Sequence, residues 1–150
     1  MIEEIGKLKI ENCIVLYQSK YSKHIYQSST EILYSDWFIS TENMQAEEFI
    51  QEMEVWLKVS QQCKFTYLFD RCINFLYIIS PDEQLWMANL LNRAWVEMGL
   101  KKYAHIVPAE FISSLSVEQV FGEYLDMKLP NQYPIIDFVD EEDAITWLKS

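Results

Sequence analysis

SPDEQLWMANLLNRAWVEMGLKKYAHIVP, residues 80–108, reads as one capped helix, one tight turn and one apolar strand in succession. Ser80 stands where an N-cap is wanted, and Pro81 sits at the first helical position, where a missing N–H costs nothing. Glu83 completes a capping box. Met87, Leu90, Leu91, Ala94 and Met98 recur at helical spacing and define the expected core stripe. Gly99 supplies the left-handed residue that stops the helix, and residues 103–107 run on as a strand. A helix delivered straight into a strand is half of a βαβ unit, so part of the sheet is expected to be parallel.

Working outward, residues 135–139 form a further apolar run, and Asp140 is placed to cap a last helix whose Glu141, Glu142 and Asp143 oppose the positive end of the macrodipole. Between these elements a short helical turn is expected around residues 109–114. Ser116 with Gln119 makes a second capping box. Upstream, Ala46, Phe49, Ile50, Met53 and Leu57 share one helical stripe, with Glu47, Glu48, Gln51, Glu52 and Lys58 mostly opposite, and KFTYLF (64–69) follows as a strand. Three apolar runs at 13–17, 24–28 and 32–40 lie too close together for intervening helices and imply antiparallel hairpins. In the third run one face is mixed, which predicts a sheet covered on one side only at this end. Charges interrupt every apolar pair in residues 1–9, expected to be a flexible lead-in to a single domain spanning residues 10–150. The expected order is β-β-β-α-β-α-β-α-β-α: an α/β fold whose mixed sheet is antiparallel at its start and parallel where helices intervene.

Composition narrows the function classes. The net charge of −11, from 23 acidic and 12 basic residues, sets up a field that repels phosphate backbones and anionic membrane surfaces, and so argues against nucleic acid and membrane insertion. Cys13, Cys63 and Cys72 are odd in number with no CxxC pair, which favours reduced thiols and a cytoplasmic setting. No stretch is long and apolar enough to span a bilayer.

Three segments carry a resemblance: ISPDEQLW (79–86), GLKKYAHIVP (99–108) and DFVDEEDAITWL (137–148). Together they resemble the STAS-like domains of the SpoIIAA-like group, small bacterial relatives of the sporulation anti-sigma-factor antagonist. The pattern Phe138-x-Asp140-x-x-x-Ala144-x-x-Trp147-Leu148 is its most specific part, and Trp37 is similar in place to that of small STAS-type domains of Bacteroidetes. The resemblance covers roughly residues 30–150. It implies a STAS-like α/β fold and a non-enzymatic role in regulated association with a protein partner or a second copy. Regulatory members carry a phosphorylatable Ser in a D-S-S-G-L motif at the start of the second helix. Ser80 stands near that place, within Ile79-Ser80-Pro81-Asp82-Glu83, which lacks the Asp-Ser-Ser-Gly context.

Candidate sites follow from position and chemistry. Ser80 is a candidate phosphosite, because a dianion at a helix N-terminus meets free N–H groups, but an ordinary N-cap is the preferred reading, since the capping box accounts for every residue there. Asp70 and Arg71 end a central strand, and ligands of open α/β sheets bind outside the carboxyl ends of the strands. Trp86 and Trp95, with the Phe75-Leu76-Tyr77 run, are apolar bulk beyond one core stripe and are candidates for a cavity or an interface. This supports an alternative function, a carrier or sensor of a small apolar or lipid-like ligand, in analogy with CRAL-TRIO lipid-transfer proteins. His24 and His105 have no ligand-type residue at metal-site spacing along the chain, so no metal or other cofactor is expected. With three glycines and neither a G-x-S-x-G elbow nor an H-E-x-x-H pair, no catalytic motif is legible.

Overall fold

The computed structural model describes residues 1–113 and 133–150. The helix expected from Ser116 lies outside the described residues. A hairpin of β1 (Glu3–Ile5) and β2 (Leu8–Ile10) leads into β3 (Ile14–Gln18), β4 (Ser22–Gln27) and β5 (Ile32–Trp37). A 3-10 turn over Ile39–Asn43 precedes α1 (Ala46–Cys63) and β6 (Tyr67–Arg71). Then come α2 (Pro81–Met87), a π-helical stretch Ala88–Asn92, α3 (Arg93–Met98), β7 (Lys102–Ile106), α4 (Ala109–Ser113), β8 (Ile135–Phe138) and α5 (Glu141–Leu148).

Among the described residues the main sheet has six strands in the order β3-β4-β5-β6-β7-β8. The pairs β3/β4 and β4/β5 are antiparallel, whereas β5/β6, β6/β7 and β7/β8 are parallel. The fold is thus mixed α/β, with the change of direction at β5, where the first helix enters the chain. Parallel neighbours need crossovers, and successive right-handed crossovers in one direction place their helices on one face. Accordingly Phe49, Met53 and Trp56 of α1, with Leu91 and Trp95 of the second crossover, pack over Leu33, Trp37 and Leu68. Burying each such side chain is worth about 1.5–3 kcal/mol. The opposite core joins Ile5, Leu8 and Ile10 of the hairpin to Tyr34, Phe69, Ile106, Ala144 and Leu148.

The structure corrects four sequence expectations. Residues 1–9 are not a loose lead-in: β1 and β2 pair antiparallel, and Ile5, Leu8 and Ile10 are buried against the sheet. Three-residue strands are too short to reveal their alternation through the charges at Glu3, Glu4, Lys7 and Lys9. The turn rests on Gly6 at φ +57°, where a Cβ would fall 2.1 Å from Glu141 Oε1. With this hairpin and α5 in place, all six residues of β5 are buried, so the sheet is covered on both faces there. Glu52 of α1 is also buried, because its carboxylate accepts from Tyr17 Oη (3.0 Å), Ser19 Oγ (2.7 Å) and Ser22 Oγ (2.8 Å). Finally, the π-helical stretch inserts an extra residue into the second crossover, which rotates the stripe so that Leu91, Asn92 and Trp95 are the buried positions. Gly99, at φ +85°, ends this crossover as expected.

Candidate functional site

The parallel strands point their carboxyl ends at one rim of the sheet, and there the α1 face opens into a cavity of about 490 Å³. Its walls are apolar: Trp37 from β5, Met53 and Trp56 from α1, Phe75 and Tyr77 from the loop after β6, Met87 from α2, and Phe111 from α4. Its polar groups are Asp70 and Cys72 from β6 and the loop that continues it, Tyr103 and His105 from β7, and Gln84 from α2. A strand presents alternate residues to one face, so Asp70 and Cys72 point the same way while Arg71 points to the other. The register sets Asp70 opposite His105 and His105 opposite Asp137 of β8.

Asp70 is 3% exposed. It accepts from Trp37 Nε1 at 2.8 Å and from the Tyr103 hydroxyl. His105 Nδ1 lies 2.9 Å from Asp137 Oδ1. Burial disfavours the His105 cation, but the Asp137 hydrogen bond and the Asp70 charge outweigh it and raise the imidazole above its ordinary pKa. Burial also pushes the Cys72 thiol well up, and the neighbouring Asp70 carboxylate pushes it further. Ligand-type atoms of Asp70, Cys72 and His105 lie within 4.8 Å of one another.

The loop over the cavity is held from both ends. Thr41 Oγ1 accepts from Leu76 N–H at 2.9 Å, and its proton lies within reach of both Phe38 O (2.8 Å) and Asn74 O (3.2 Å). Phe75 meets Trp37 edge-on at 5.5 Å, while Tyr77 stacks on Phe49 at 4.7 Å. Ser80 caps α2: its Oγ accepts from Glu83 N–H at 3.2 Å, and Glu83 Oε1 accepts from Ser80 N–H at 3.0 Å. The other oxygen of Glu83 accepts from Tyr77 Oη at 2.7 Å, so the capping box also anchors the cavity loop.

Of the residues singled out by sequence, Asp70 lines the cavity and Ser80 steadies its loop. Arg71 lies on the opposite face, bound to Asp36 Oδ1 at 3.0 Å and Glu141 Oε1 at 2.7 Å. Trp86 packs beside Phe49, outside the lining. Trp95 is buried in the core, its Nε1 donating to Ser60 Oγ at 3.0 Å. The indoles that face the cavity are Trp37 and Trp56. Sequence reasoning missed Cys72 and His105 as neighbours. The available signal was Asp-x-Cys on one strand face with a histidine in the next parallel strand.

Among the described residues no helix is long and apolar enough to cross a membrane. The molecule is thus a mixed α/β protein with a largely apolar cavity at the carboxyl ends of its parallel strands. Comparison with models of protein families, with curated proteins and with solved structures found no match.

Proposed function

We propose that this chain is a non-enzymatic binding protein, a carrier or sensor that holds a small, mainly apolar molecule in the cavity above Asp70 and His105. The observation that carries this reading is the cavity itself: about 490 Å³, with walls that are mostly aromatic and aliphatic and a few polar groups, among them Asp70 and His105. Pockets for small organic ligands typically measure about 300–1,000 Å³ and combine apolar walls with a few convergent polar groups. The Asp70 carboxylate only accepts, so an occupant that reaches it presents a hydrogen-bond donor there, such as a hydroxyl or an amine.

Native mass spectrometry of protein purified without denaturation tests this. A discrete co-purified small molecule is expected on the wild-type chain, and on a Met87→Trp variant that fills the cavity it is expected to be lost while the fold is kept. An identical bound mass on both proteins would contradict the reading.

A second reading, regulated association with a protein partner or a second copy, is what the likeness to STAS-like domains implies. It is favoured by β3, an edge strand of the sheet that exposes Ile14 and Val15. Light scattering should then find a dimer that Ile14→Lys converts to monomer, and a monomeric wild-type protein would remove self-association through this edge.

A further inference from the structure

The polar end of the cavity holds a buried carboxylate, Asp70, with the His105 imidazole as the basic group beside it. Asp70 is buried, and a buried carboxylate is costly unless a cation or metal answers it. Its hydrogen-bond donors, the Trp37 indole, the Tyr103 hydroxyl and the Cys72 thiol, are neutral. Among the described residues no Lys or Arg pairs with it, since Arg71 is engaged on the other face by Asp36 and Glu141. A second carboxylate, Asp137, stands behind His105. This corner therefore concentrates negative charge beside a thiol and an imidazole.

The same corner has the parts of a metal centre. Asp70 and Cys72 share a strand face, and the Cys72 N–H donates to Ile106 O at 2.8 Å, which holds the thiol-bearing residue in line beyond the end of β6. His105 comes from the neighbouring strand in direct register with Asp70. Their ligand-type atoms already lie within 4.8 Å of one another. In a tetrahedral zinc site, with bonds of about 2.0–2.3 Å, ligand atoms stand roughly 3.3–3.8 Å apart, so the three groups would close by at most roughly 1.5 Å on taking up a metal. With Asp137 accepting the Nδ1 proton of His105, the neutral form of the ring carries its lone pair on Nε2. This carboxylate–histidine arrangement is the usual support of a metal-bound imidazole.

We propose that Asp70, Cys72 and His105 form a three-ligand site for a zinc-type divalent cation, with the fourth coordination position open to the cavity. One thiolate, one imidazole and one carboxylate make a donor set suited to zinc and too soft for magnesium or calcium. On binding, the Cys72 thiol gives its proton to solvent as the metal–sulfur bond forms, so one proton is released per thiolate ligated. The alternative use of these groups, Cys72 as a nucleophile activated by His105, is disfavoured by Asp70: a carboxylate beside the thiol opposes thiolate formation until a cation is present. The site does not depend on an apolar occupant, and its test uses metal alone.

The experiment is a titration of reduced, chelator-stripped protein with Co²⁺, followed by competition with Zn²⁺. The expected result is a one-to-one complex with a thiolate-to-cobalt charge-transfer band and the visible bands of tetrahedral cobalt, both erased by Zn²⁺. Cys72→Ser should lose the charge-transfer band, Cys63→Ser should keep it, and Asp137→Asn should weaken binding by about 10- to 100-fold. A wild-type protein with no thiolate band, or a band that survives Cys72→Ser, overturns the proposal. Zinc-edge X-ray absorption on the wild-type chain gives a readout free of any folding defect in the variants: one sulfur neighbour at about 2.3 Å is expected, and a shell without sulfur refutes the site.

Discussion

Asp70 and Arg71 are consecutive residues at the end of β6, and they face opposite sides of one sheet. Arg71 enters a mostly buried layer: Asp36 and Glu141 pair with it, and Lys7 N–H donates to the second oxygen of Glu141 at 2.9 Å. The Gly6 turn closes over this group so tightly that a side chain there would collide with it. Asp70, one residue earlier, meets neutral donors and an open cavity. The difference teaches how the molecule divides its labour. One face satisfies its charges internally and holds the hairpin and α5 to the sheet, whereas the other keeps polar groups incompletely answered at the edge of an apolar space.

That contrast is open to attack from both sides. The largest effect is expected from Arg71→Ala, which leaves Asp36 and Glu141 buried without their cation and should cost about 3–5 kcal/mol in urea unfolding. Loss of less than about 1 kcal/mol would show that this face is wetter than described. An intermediate effect comes from His24, which is fully buried with its Nδ1 2.8 Å from Ser35 Oγ and its Nε2 without a partner among the described residues. Burial lowers its pKa from 6.5 to about 3. The unfolded chain therefore takes up a proton that the folded protein refuses. This contribution is fully present above pH 6.5 and is lost as the pH falls toward 3, at about 1.4 kcal/mol per pH unit. Unfolding free energies at pH 6.5 and 4.5 should show this slope in the wild-type protein and a shallower one in His24→Leu; equal slopes would contradict it. The smallest effect is expected from Asp70→Asn. No cation is orphaned by that change, so the metal-free protein should shift by only about 1 kcal/mol, because just one hydrogen bond is disturbed. A loss as large as that of Arg71→Ala would mean that Asp70 is structural rather than poised for binding.

The contrast also explains what could be read in the chain beforehand. Changes of period from two to 3.6 and back revealed β5, α1, β6, the second crossover and β7, because each of these is long enough for its apolar spacing to repeat. Ser80, Glu83 and Gly99 marked local boundaries, and local chemistry is what sequence shows best. The hairpin was hidden because Ile5, Leu8 and Ile10 acquire meaning only when α5, from the other end of the chain, closes over the same face. The candidate site was half legible. The rule that ligands gather at strand carboxyl ends picked out Asp70. It did not separate Asp70 from Arg71, although strand alternation sends them apart. Cys72, His105 and Asp137 meet through the register of three parallel strands, which is set by tertiary pairing and not by spacing along the chain. Trp95 was drawn into the core by the π-helical shift, and Trp37 and Trp56 took the cavity positions expected of Trp86 and Trp95.

Binding at the open face is tested by a fluorescence titration with a neutral apolar probe, N-phenyl-1-naphthylamine, on the wild-type protein and on Met87→Trp. Saturable binding to one site is expected on the wild-type chain, weakened by about tenfold or more, equivalent to about 1.4 kcal/mol, when the indole fills the cavity. Equal affinity for both proteins would place the probe elsewhere and contradict binding at this face.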